Sequence, residues 1–334
     1  MSNKPTVMVT GGAGYIGSHA VLALRDAGWP VVVIDNLVTG FRWAVPGDVS
    51  FVEGDIADAT LVEATLKAHD VQAIMHFAGS VVVPESVSDP LKYYRNNTAN
   101  SRALIESAVN AGVPHFIFSS TAATYGSPDV AQVTEQSPTV PINPYGMSKL
   151  MTEFMLTDVA AAHDFNYCAL RYFNVAGADP QGRSGQSTAG ATHLIKVAVE
   201  AALGKRESVA VFGTDFETAD GTGVRDYIHV ADLAAAHVVA LEALMVDAGR
   251  SHILNCGYGR GFSVLEVLDA VDRATNTKIV RKLEGRRAGD PGHLISDNSA
   301  ILARFPWAPR YADLDAIVGH ALAWERKLSE RLPG

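Results

Sequence analysis

A glycine-rich segment near the amino terminus constrains the fold of this chain more than any other feature. A β-branched run over residues 7–10 leads into Gly11, Gly14 and Gly17, and an apolar helical pattern then continues to Gly28. Glycine lets a turn of backbone approach a diphosphate closely, and the N–H groups and dipole at a helix start favour negative charge. Strand, turn and helix in this order predict a dinucleotide-binding unit.

An acidic residue follows the second predicted strand. Residues 31–34 form an apolar run, and Asp35 comes directly after it. Dinucleotide-binding units place an acid at about this distance from the glycines, where it binds the ribose hydroxyls. Because a carboxylate there repels a 2′-phosphate, the sequence predicts NAD rather than NADP as the cofactor.

Length and composition exclude several classes of protein. The 334 residues exceed the usual single core, so two lobes are expected. A hydrophobic content of 48% argues against disorder, and a net charge of −9 argues against a nucleic-acid partner, which needs a basic face. No apolar run reaches the roughly 18 residues of a membrane span, and the first residues lack the apolar run of a signal peptide. We therefore expect a soluble, cytoplasmic protein with no membrane partner.

The cysteines and three of the histidines carry no chemistry of their own in this interpretation. Cys168 and Cys256 are too few for a disulfide framework, and each lies in an apolar segment, so we expect reduced core thiols. His76, His229 and His237 share no metal-ligand spacing, and no metal site is predicted.

Strand and helix patterns alternate through the first half of the chain. The helical patterns lie over residues 59–69, 99–111 and 145–162, and the apolar strand patterns lie over residues 73–77, 116–120 and 167–171. Parallel strands joined by helical crossovers produce this alternation. The predicted fold class is therefore α/β, with a Rossmann-type doubly wound parallel sheet and a smaller α/β substrate lobe.

A loop-like stretch rich in Gly, Ser, Gln and Pro, residues 177–190, marks the predicted crossing into the second lobe. Residues 1–176 are expected to form the NAD-binding domain, with a return contribution from about 224–250. Residues 177–334 are expected to form mainly the substrate lobe. Its predicted elements are helices over 193–203, 232–245, 264–274 and 314–328, and strands over 209–212 and 224–228.

Polar and small residues follow several predicted strands. Ligands of open parallel sheets bind beyond the carboxyl ends of the strands, so these residues should form the rim of one crevice. The rim residues are Asp35, Asn36, Asp55, Ile56, Ala78, Gly79, Ser119, Ser120 and Thr121.

Tyr145 and Lys149 lie four residues apart, hence on one face of a predicted helix. A free tyrosine, with a pKa near 10, is a poor base at neutral pH. A neighbouring lysine cation and the positive nicotinamide of NAD⁺ would stabilise the phenolate and lower that pKa. This helix follows the strand that ends at Thr121, whose hydroxyl could bond the same substrate oxygen. The three residues predict a site that removes a hydroxyl proton as hydride leaves.

These features belong to a longer pattern that resembles the extended short-chain dehydrogenase/reductase family, and within it the UDP-glucose 4-epimerases. The matching stretches span nearly the whole chain: residues 11–19, 51–56, 76–79, 93–97, 116–126, 144–150, 171–174, 221–229 and 286–290.

The resemblance implies an isomerase that keeps NAD bound through turnover and acts on a UDP-sugar, with UDP-glucose and UDP-galactose as the main pair. Tyr145 would deprotonate the C4 hydroxyl while NAD⁺ takes the C4 hydride. The 4-ketopyranose would turn over and receive the hydride on its other face. A homodimer is also expected. The residues expected at the cofactor are Gly11, Gly14, Tyr15, Ile16, Gly17, Asp35, Asn36, Asp55, Ile56, Phe77, Ala78, Gly79, Asn97, Ser119, Tyr145, Lys149 and Tyr172.

The same resemblance assigns roles at the substrate. Lys149 would bind the nicotinamide ribose, Thr121 would bond the 4-oxygen, Ala210 and Phe212 would flank uracil, and Arg225 and Arg287 would face the diphosphate. Leu294 would be a gate beside the C2 substituent, leaving UDP-N-acetylglucosamine a weaker substrate. The full substrate set is Thr121, Tyr145, Asn174, His193, Leu194, Ala210, Phe212, Arg225, Arg287, Asp290 and Leu294.

Three positions depart from the pattern of some relatives. Val81 replaces a lysine that reaches the NAD diphosphate, so that contact is expected to be absent. His193 and Lys196 replace an Asn and a Pro beside the substrate diphosphate. Lys196 either restores positive charge there or is a solvated lysine.

Other functions remain as alternatives. A nucleotide-sugar 4,6-dehydratase would carry an Asp-Glu pair directly after Thr121, where this chain has Ala122 and Ala123. A 4-epimerase of UDP-N-acetylglucosamine, UDP-xylose or UDP-glucuronate, or a uronic acid decarboxylase, would need only small changes around the sugar. An NAD-binding regulator without turnover is the non-enzyme alternative, although such relatives typically lose the Tyr and the Lys.

Overall fold

The computed structural model describes residues 4–247, 249–287 and 290–331. Its strands, numbered along the chain, are β1 (Thr6–Thr10), β2 (Val31–Asp35), β3 (Ser50–Glu53), β4 (Val71–His76), β5 (His115–Thr121), β6 (Asn166–Tyr172), β7 (Asn174–Ala176), β8 (Val209–Phe212), β9 (Val224–His229), β10 (His252–Cys256), β11 (Gly261–Ser263), β12 (Arg281–Glu284) and β13 (His293–Leu294).

The α-helices are α1 (Tyr15–Asp26), α2 (Ala59–Ala68), α3 (Val83–Ser88), α4 (Pro90–Tyr93), α5 (Asn100–Asn110), α6 (Pro144–Ala162), α7 (Leu194–Ala202), α8 (Val230–Val246), α9 (Val264–Thr275), α10 (Ser299–Arg304) and α11 (Leu314–Arg331). A π-helical segment, Tyr94–Ala99, precedes α5, and a 3-10 turn, Ala122–Tyr125, follows β5.

Seven parallel strands form the main sheet, in the order β10-β6-β5-β4-β1-β2-β3. Two clusters of buried apolar side chains cover its faces. Leu24 of α1 and Leu241 of α8 belong to one cluster, and Leu104 of α5 and Leu156 of α6 belong to the other. The predicted doubly wound α/β fold is confirmed. Because all seven strands are parallel, their carboxyl ends lie at one edge of the sheet.

A smaller part of the molecule builds on short sheets. The strand β9 pairs with β7, β11 and β13, and β8 pairs with β12. A third apolar cluster, with Ile195 of α7, Val271 of α9 and Ile317 of α11, supports these strands.

The chain returns to the main sheet after the smaller sheet has begun. Within residues 224–250, α8 and Ile228 of β9 belong to the apolar cluster on one face of the main sheet, whereas β9 pairs its backbone in the smaller sheet. The strand β10, at His252–Cys256, then adds to β6 as the edge of the main sheet. The sequence pattern missed β10 because an edge strand of five residues has too short an apolar run to stand out. The proposed domain boundaries themselves stay a prediction.

Candidate active site

The turn between β1 and α1 requires glycine for steric reasons. Gly11 has φ +68°, and a Cβ atom there would lie 2.6 Å from the Ala78 backbone nitrogen. A Cβ on Gly17 would lie 2.1 Å from the Gly11 carbonyl oxygen. The helix α1 therefore starts directly against the strand ends. Gly14 is its N-cap and gives no side-chain cap, so first-turn N–H groups remain for an outside acceptor.

Asp35 holds this turn from the end of β2. Its carboxylate accepts hydrogen bonds from the backbone N–H groups of Ala13, at 2.9 Å, and Leu37, at 2.8 Å. Asn36 donates to the Asp55 carboxylate at 3.3 Å, and Ile56 beside it is buried. Asp35 thus stabilises the cofactor turn itself, a role that the sequence pattern did not indicate.

A small cavity lies over the turn. It measures about 190 Å³ and is lined by Gly14 and Tyr15 of the turn and α1 and by Thr39, Phe41 and Ser184 from other segments. The Ser184 and Ser18 hydroxyls are 2.7 Å apart. Further out, Trp324 of α11 stacks on Trp43 with 6.0 Å between ring centroids. The predicted crevice is therefore roofed by segments that showed no motif in the sequence.

The end of β4 lies beside the next part of the crevice. Phe77 donates its backbone N–H to Thr10, and Ala78 approaches Gly11. Asn97 is buried and uses its side chain to hold Ser80, accepting from its N–H at 2.7 Å and donating to its carbonyl at 3.0 Å. A Cβ on Gly79 would lie 2.8 Å from the Asn97 side-chain oxygen.

Tyr145 and Thr121 meet at the carboxyl end of β5. Both side chains are buried, and the Thr121 hydroxyl lies near enough to lower the pKa of Tyr145 by hydrogen bonding. Tyr145 lies in the first turn of α6, which begins at Pro144 and is capped by the Asn143 side chain at 2.9 Å from the Gly146 N–H. The structure thus joins the two hydroxyls that the sequence placed on separate elements.

Lys149 lies one turn further along the same face of α6. Its Nζ donates to the Ser119 carbonyl at 3.1 Å and lies 5.0 Å from the Phe118 ring centroid. The Ser119 hydroxyl in turn bonds the Tyr172 hydroxyl. These contacts therefore connect the residues expected around the nicotinamide, which are Gly79, Asn97, Ser119, Lys149 and Tyr172.

Burial favours the neutral forms of Tyr145 and Lys149. It raises the pKa of Tyr145, and hydrogen bonding from Thr121 opposes this effect. It lowers the pKa of Lys149 from 10.5 to about 8. In the protein alone, burial therefore outweighs the phenolate stabilisation that the sequence predicted from a neighbouring cation. A further positive charge in the crevice would favour the phenolate form.

A larger cavity of about 500 Å³ adjoins the crevice. Asn174, His193 and Leu194, three residues predicted to bind substrate, line it together with Tyr15 and Lys196. The Tyr15 hydroxyl donates to the Gly177 carbonyl at 2.7 Å, so α1 contacts the segment that follows β7.

The expectation of a solvated lysine at Lys196 is wrong. Its side chain is only 9% exposed, lies 3.1 Å from Glu200 and pairs with the buried Glu325. The same two carboxylates also pair with Lys205 and Arg206, so Lys196 belongs to a cluster of three cations and two anions, and its role in restoring positive charge beside the diphosphate stays a prediction. His193 is exposed and contacts Gln186 at 3.2 Å. Val81 is exposed, and the absence of a contact from this position to the NAD diphosphate stays a prediction.

The remaining substrate residues form two groups. Arg287 lies over the Phe212 ring, 3.6 Å from its centroid, and Phe212 follows Ala210 on β8. Arg225 pairs with Asp290, and its backbone is in register with Leu294. Leu294 is buried in a cluster with Ala122, which follows β5, and Phe173, which follows β6. Residues 288 and 289 of the matching stretch lie outside the described residues.

Sequence reasoning missed a buried ion pair behind the site. Glu153 and Arg171 lie 2.6 Å apart beneath β5, and both are buried. The signal was present in the sequence, since Glu153 continues the spacing of Tyr145 and Lys149 by four more residues.

Two further observations cover the described part of the chain. No helix within residues 4–247, 249–287 and 290–331 is long and apolar enough to cross a membrane. The same residues contain no group of three His, Cys, Asp or Glu side chains that could hold a metal ion.

Cys168 and Cys256 are buried, and burial raises the pKa of both thiols.

The residues of the turn fit a dinucleotide. Gly11 and Gly17 let α1 start directly against the strand ends, the α1 start has no side-chain cap, and Asp35 lies at its side. Consistently, the chain matches the family described as the NAD dependent epimerase/dehydratase family over residues 7–257.

Known proteins resemble the chain over nearly its full length. It is 55% identical over 327 residues to the UDP-glucose 4-epimerase of Azospirillum brasilense, covering 98% of this chain and 94% of that protein. It is similar to the crystal structure of UDP-glucose 4-epimerase from Brucella ovis in complex with NAD, with a TM-score of 0.92, 43% identity and coverage of 96% and 98%. It is also similar to the UDP-Glc/GlcNAc 4-epimerase of Campylobacter jejuni, with a TM-score of 0.84, 46% identity and coverage of 97% and 99%.

The buried Lys149 generates a prediction about stability and pH. The unfolded chain keeps the lysine proton up to about pH 10.5, whereas the folded protein releases it above about pH 8. The unfolded state therefore binds more protons between these values, and wild-type stability rises with pH there. Below pH 8 the buried charge costs up to about 3 kcal/mol.

We expect Lys149→Met to stabilise the NAD-free protein at pH 7, and this gain to shrink as pH rises from 8 to 10.5. Urea unfolding of both proteins across this range measures the difference. Lys67→Met, at an exposed position, is the control and should show no such dependence on pH. A constant difference between Lys149→Met and wild type at all pH values would contradict the prediction.

Proposed function

The chain belongs to the NAD dependent epimerase/dehydratase family, and from this premise we propose that it interconverts UDP-glucose and UDP-galactose. The resemblance found in the sequence and the NAD cofactor are confirmed by the family match and by the relatives. The chain is accordingly an enzyme, an isomerase that changes the configuration at one sugar carbon.

The observation that carries the proposal is the buried pair of hydroxyls, Tyr145 and Thr121, with Lys149 one helical turn away. Tyr145 takes the proton from the C4 hydroxyl and later returns it, and Thr121 donates a hydrogen bond to the same oxygen. Exclusion of water strengthens both interactions. When bound, NAD supplies the acceptor and the source of the C4 hydride, so no net redox change results.

The chain's own residues would hold NAD along the crevice. The α1 start and Gly11, Gly14 and Gly17 suit the diphosphate, and Asp35 suits a ribose. Ser119, Asn97 and Tyr172 surround Lys149, which suits the nicotinamide end.

The UDP part of the substrate suits the smaller lobe. Arg287 and Phe212 present a cation and an aromatic face side by side, and Ala210 lies on the same strand. Arg225 lies near Leu294 and pairs with Asp290, an exposed partner that a diphosphate would replace. Asn174, His193 and Leu194 line the cavity that joins these groups to the crevice.

Dehydration of the sugar is disfavoured by the residues that follow Thr121. Ala122 is buried, and neither Ala122 nor Ala123 can act as an acid or base in the elimination of water. A regulator without turnover has no use for the buried Tyr145 and Lys149. A 4-epimerase of UDP-N-acetylglucosamine is the second candidate, because one relative at 46% identity is named for both sugars.

The central test removes one hydroxyl. We expect Tyr145→Phe to keep its fold and its NAD, and to lose conversion of UDP-galactose to UDP-glucose by at least about 100-fold, the scale of general acid–base catalysis. Turnover, circular dichroism and the nucleotide released on denaturation are measured together. Tyr311→Phe, at a tyrosine that contacts His229 and His320, is the matched control. Near-normal turnover of Tyr145→Phe would overturn the assignment of Tyr145 as the group that moves the proton. Release of mainly NADP would contradict NAD as the cofactor.

Substrate breadth depends on Leu294. This side chain is 8% exposed and packs against Ala122, the residue after Thr121. We expect Leu294→Ser to raise the use of UDP-N-acetylglucosamine relative to UDP-galactose by about tenfold, and Leu294→Tyr to abolish it while sparing UDP-galactose. Ratios of kcat/KM for the two sugars measure the effect. Unchanged ratios in both variants would show that Leu294 is a core residue only.

We also propose that the protein acts in the cytoplasm as a homodimer. Met151 and Phe154 support this proposal, because they are 40% and 57% exposed and lie one turn apart on the outer face of α6. Two exposed apolar side chains next to each other on one helix face form a patch that a second copy of the chain would cover, whereas an apolar side chain exposed singly needs no partner.

Light scattering tests the dimer directly. Wild type should have about twice the chain mass of 35.5 kDa, and Phe154→Glu should shift the mass towards that of one chain. Val246→Glu is the control, because Val246 is 88% exposed on α8, at the opposite face of the main sheet. A monomeric wild type would contradict the proposal.

A further inference from the structure

A buried ion pair lies behind the catalytic strand and has no part in the mechanism above. Arg171 Nη2 donates to Glu153 Oε2 at 2.6 Å, and Arg171 Nε lies 3.0 and 3.2 Å from the two carboxylate oxygens. The side chains are 6% and 1% exposed. The Ser120 hydroxyl donates to the same carboxylate. Both charges are thus fully paired, the condition under which a buried ion pair is tolerated.

The pair takes part in the contact between α6 and the end of β5. Tyr145, Lys149 and Glu153 recur every four residues on one face of the helix. Their partners are the last three residues of β5, although not in helix order: Lys149 donates to the Ser119 carbonyl, Glu153 accepts from the Ser120 hydroxyl, and Thr121 acts on Tyr145. The contacts of Lys149 and Glu153 lie outside the hydroxyl pair and restrain both the rotation and the sliding of α6, so they help to set the meeting of the two hydroxyls.

A second branch leads from Arg171 to the wall of the sugar site. Arg171 Nη1 donates to the Tyr125 hydroxyl at 3.1 Å, and that hydroxyl donates to Asn255 at 2.6 Å. Asn255 donates to the Val133 carbonyl at 2.8 Å, and the Val133 N–H donates to Ile295 at 2.9 Å. Ile295 directly follows Leu294, so the branch ends at the proposed gate.

We propose that Glu153 and Arg171 are positioning residues for this enzyme. They act through the register of α6 on β5 to hold the Tyr145 and Thr121 hydroxyls together, and through Tyr125 and Asn255 to hold the wall that carries Leu294. The inference rests on the proposed function, since it takes Tyr145 as the group that moves the proton.

Removing one charge of the Glu153–Arg171 pair should change the pKa of Tyr145. Tyr145 and Glu153 are eight residues apart, about 12 Å along the helix axis. The other titratable groups around Tyr145 are Lys149 on the same helix, Tyr93 at 6.4 Å between ring centroids, and Tyr172 on β6. Removing one member of the pair leaves an uncompensated charge inside the protein. A remaining cation favours the Tyr145 phenolate, and a remaining anion opposes it.

The experiment compares Glu153→Gln, Arg171→Gln and the double variant in the holoenzyme. The pH at which Tyr145 ionises is read from the pH profile of kcat. Independently of turnover, it is read from the difference in ultraviolet titration between each protein and the same protein carrying Tyr145→Phe. We expect Glu153→Gln to shift ionisation to lower pH and Arg171→Gln to higher pH, each by about half to one unit. The double variant should return close to wild type. The kcat of both single variants should fall by about 10- to 100-fold, because misplaced reacting groups slow the chemical step.

Tyr125→Phe separates the two branches. It breaks the connection to Asn255 without changing a charge, so KM should rise by about fivefold while the pH profile stays that of wild type. Arg171→Lys keeps the charge and loses the bidentate contact, and should show no shift with a partial recovery of kcat over Arg171→Gln. Glu106→Gln, in the exposed Arg102–Glu106 pair on α5, is the control and should resemble wild type.

Shifts of the same sign, or no shift, in the two charge-changing variants would overturn the positioning role and leave a purely structural ion pair. If Arg171→Gln does not fold, an unshifted Glu153→Gln alone is the overturning result. Failure of the proposed function has a different signature, since wild type would then not interconvert UDP-glucose and UDP-galactose at all. The phenolate titration remains readable in either case.

Discussion

The contact between the first turn of α1 and the end of β1 is the constraint on which the site depends. A side chain on Gly17 would overlap the Gly11 carbonyl at 2.1 Å, and one on Gly11 would overlap the backbone of Ala78 at 2.6 Å. Only glycine lets the helix start, the first strand and the fourth strand converge within van der Waals distance. Asp35 then holds the turn through two backbone N–H groups. The convergence places an uncapped helix start at the edge where all seven strands end, and every other functional group is arranged around that point.

Burial dominates the electrostatics of the crevice. Tyr145 and Lys149 are both kept towards their neutral forms, although their mutual spacing alone suggested a charged pair. The neighbouring charges that the structure does bury are paired: Arg171 with Glu153, and Lys196 with Glu200 and Glu325. The buried Tyr145 and Lys149 therefore respond strongly to the charges of whatever enters the crevice, because water does not screen those charges.

Elements with local signals could be predicted from the sequence. The glycine turn, the alternation of the first six main-sheet strands with helices, and the Tyr145–Lys149 face of α6 all depend on residues close in the chain. The strand β10 could not be predicted, because its sequence has only two consecutive apolar residues, Ile253 and Leu254. The residues over the cofactor turn could not be predicted because Thr39 and Ser184 line one cavity from segments that are far apart in sequence. The burial of Lys196 could not be predicted for the same reason, since its partner Glu325 lies 129 residues further on.

The distribution of long-range contacts also explains why substrate recognition is the least local part of the site. Leu294 reaches Ala122 through a strand of two residues, β13, that exists only because β9 offers it an edge. Arg225 lies on β9 in register with Leu294, so the diphosphate and the sugar would be recognised by neighbours in one small sheet. That sheet joins the larger lobe through the pairing of β7, just after Tyr172, with β9. A change in sugar preference can therefore arise in the small sheet without altering the Tyr145–Thr121 pair, whereas the chemistry depends on the register of α6 on β5.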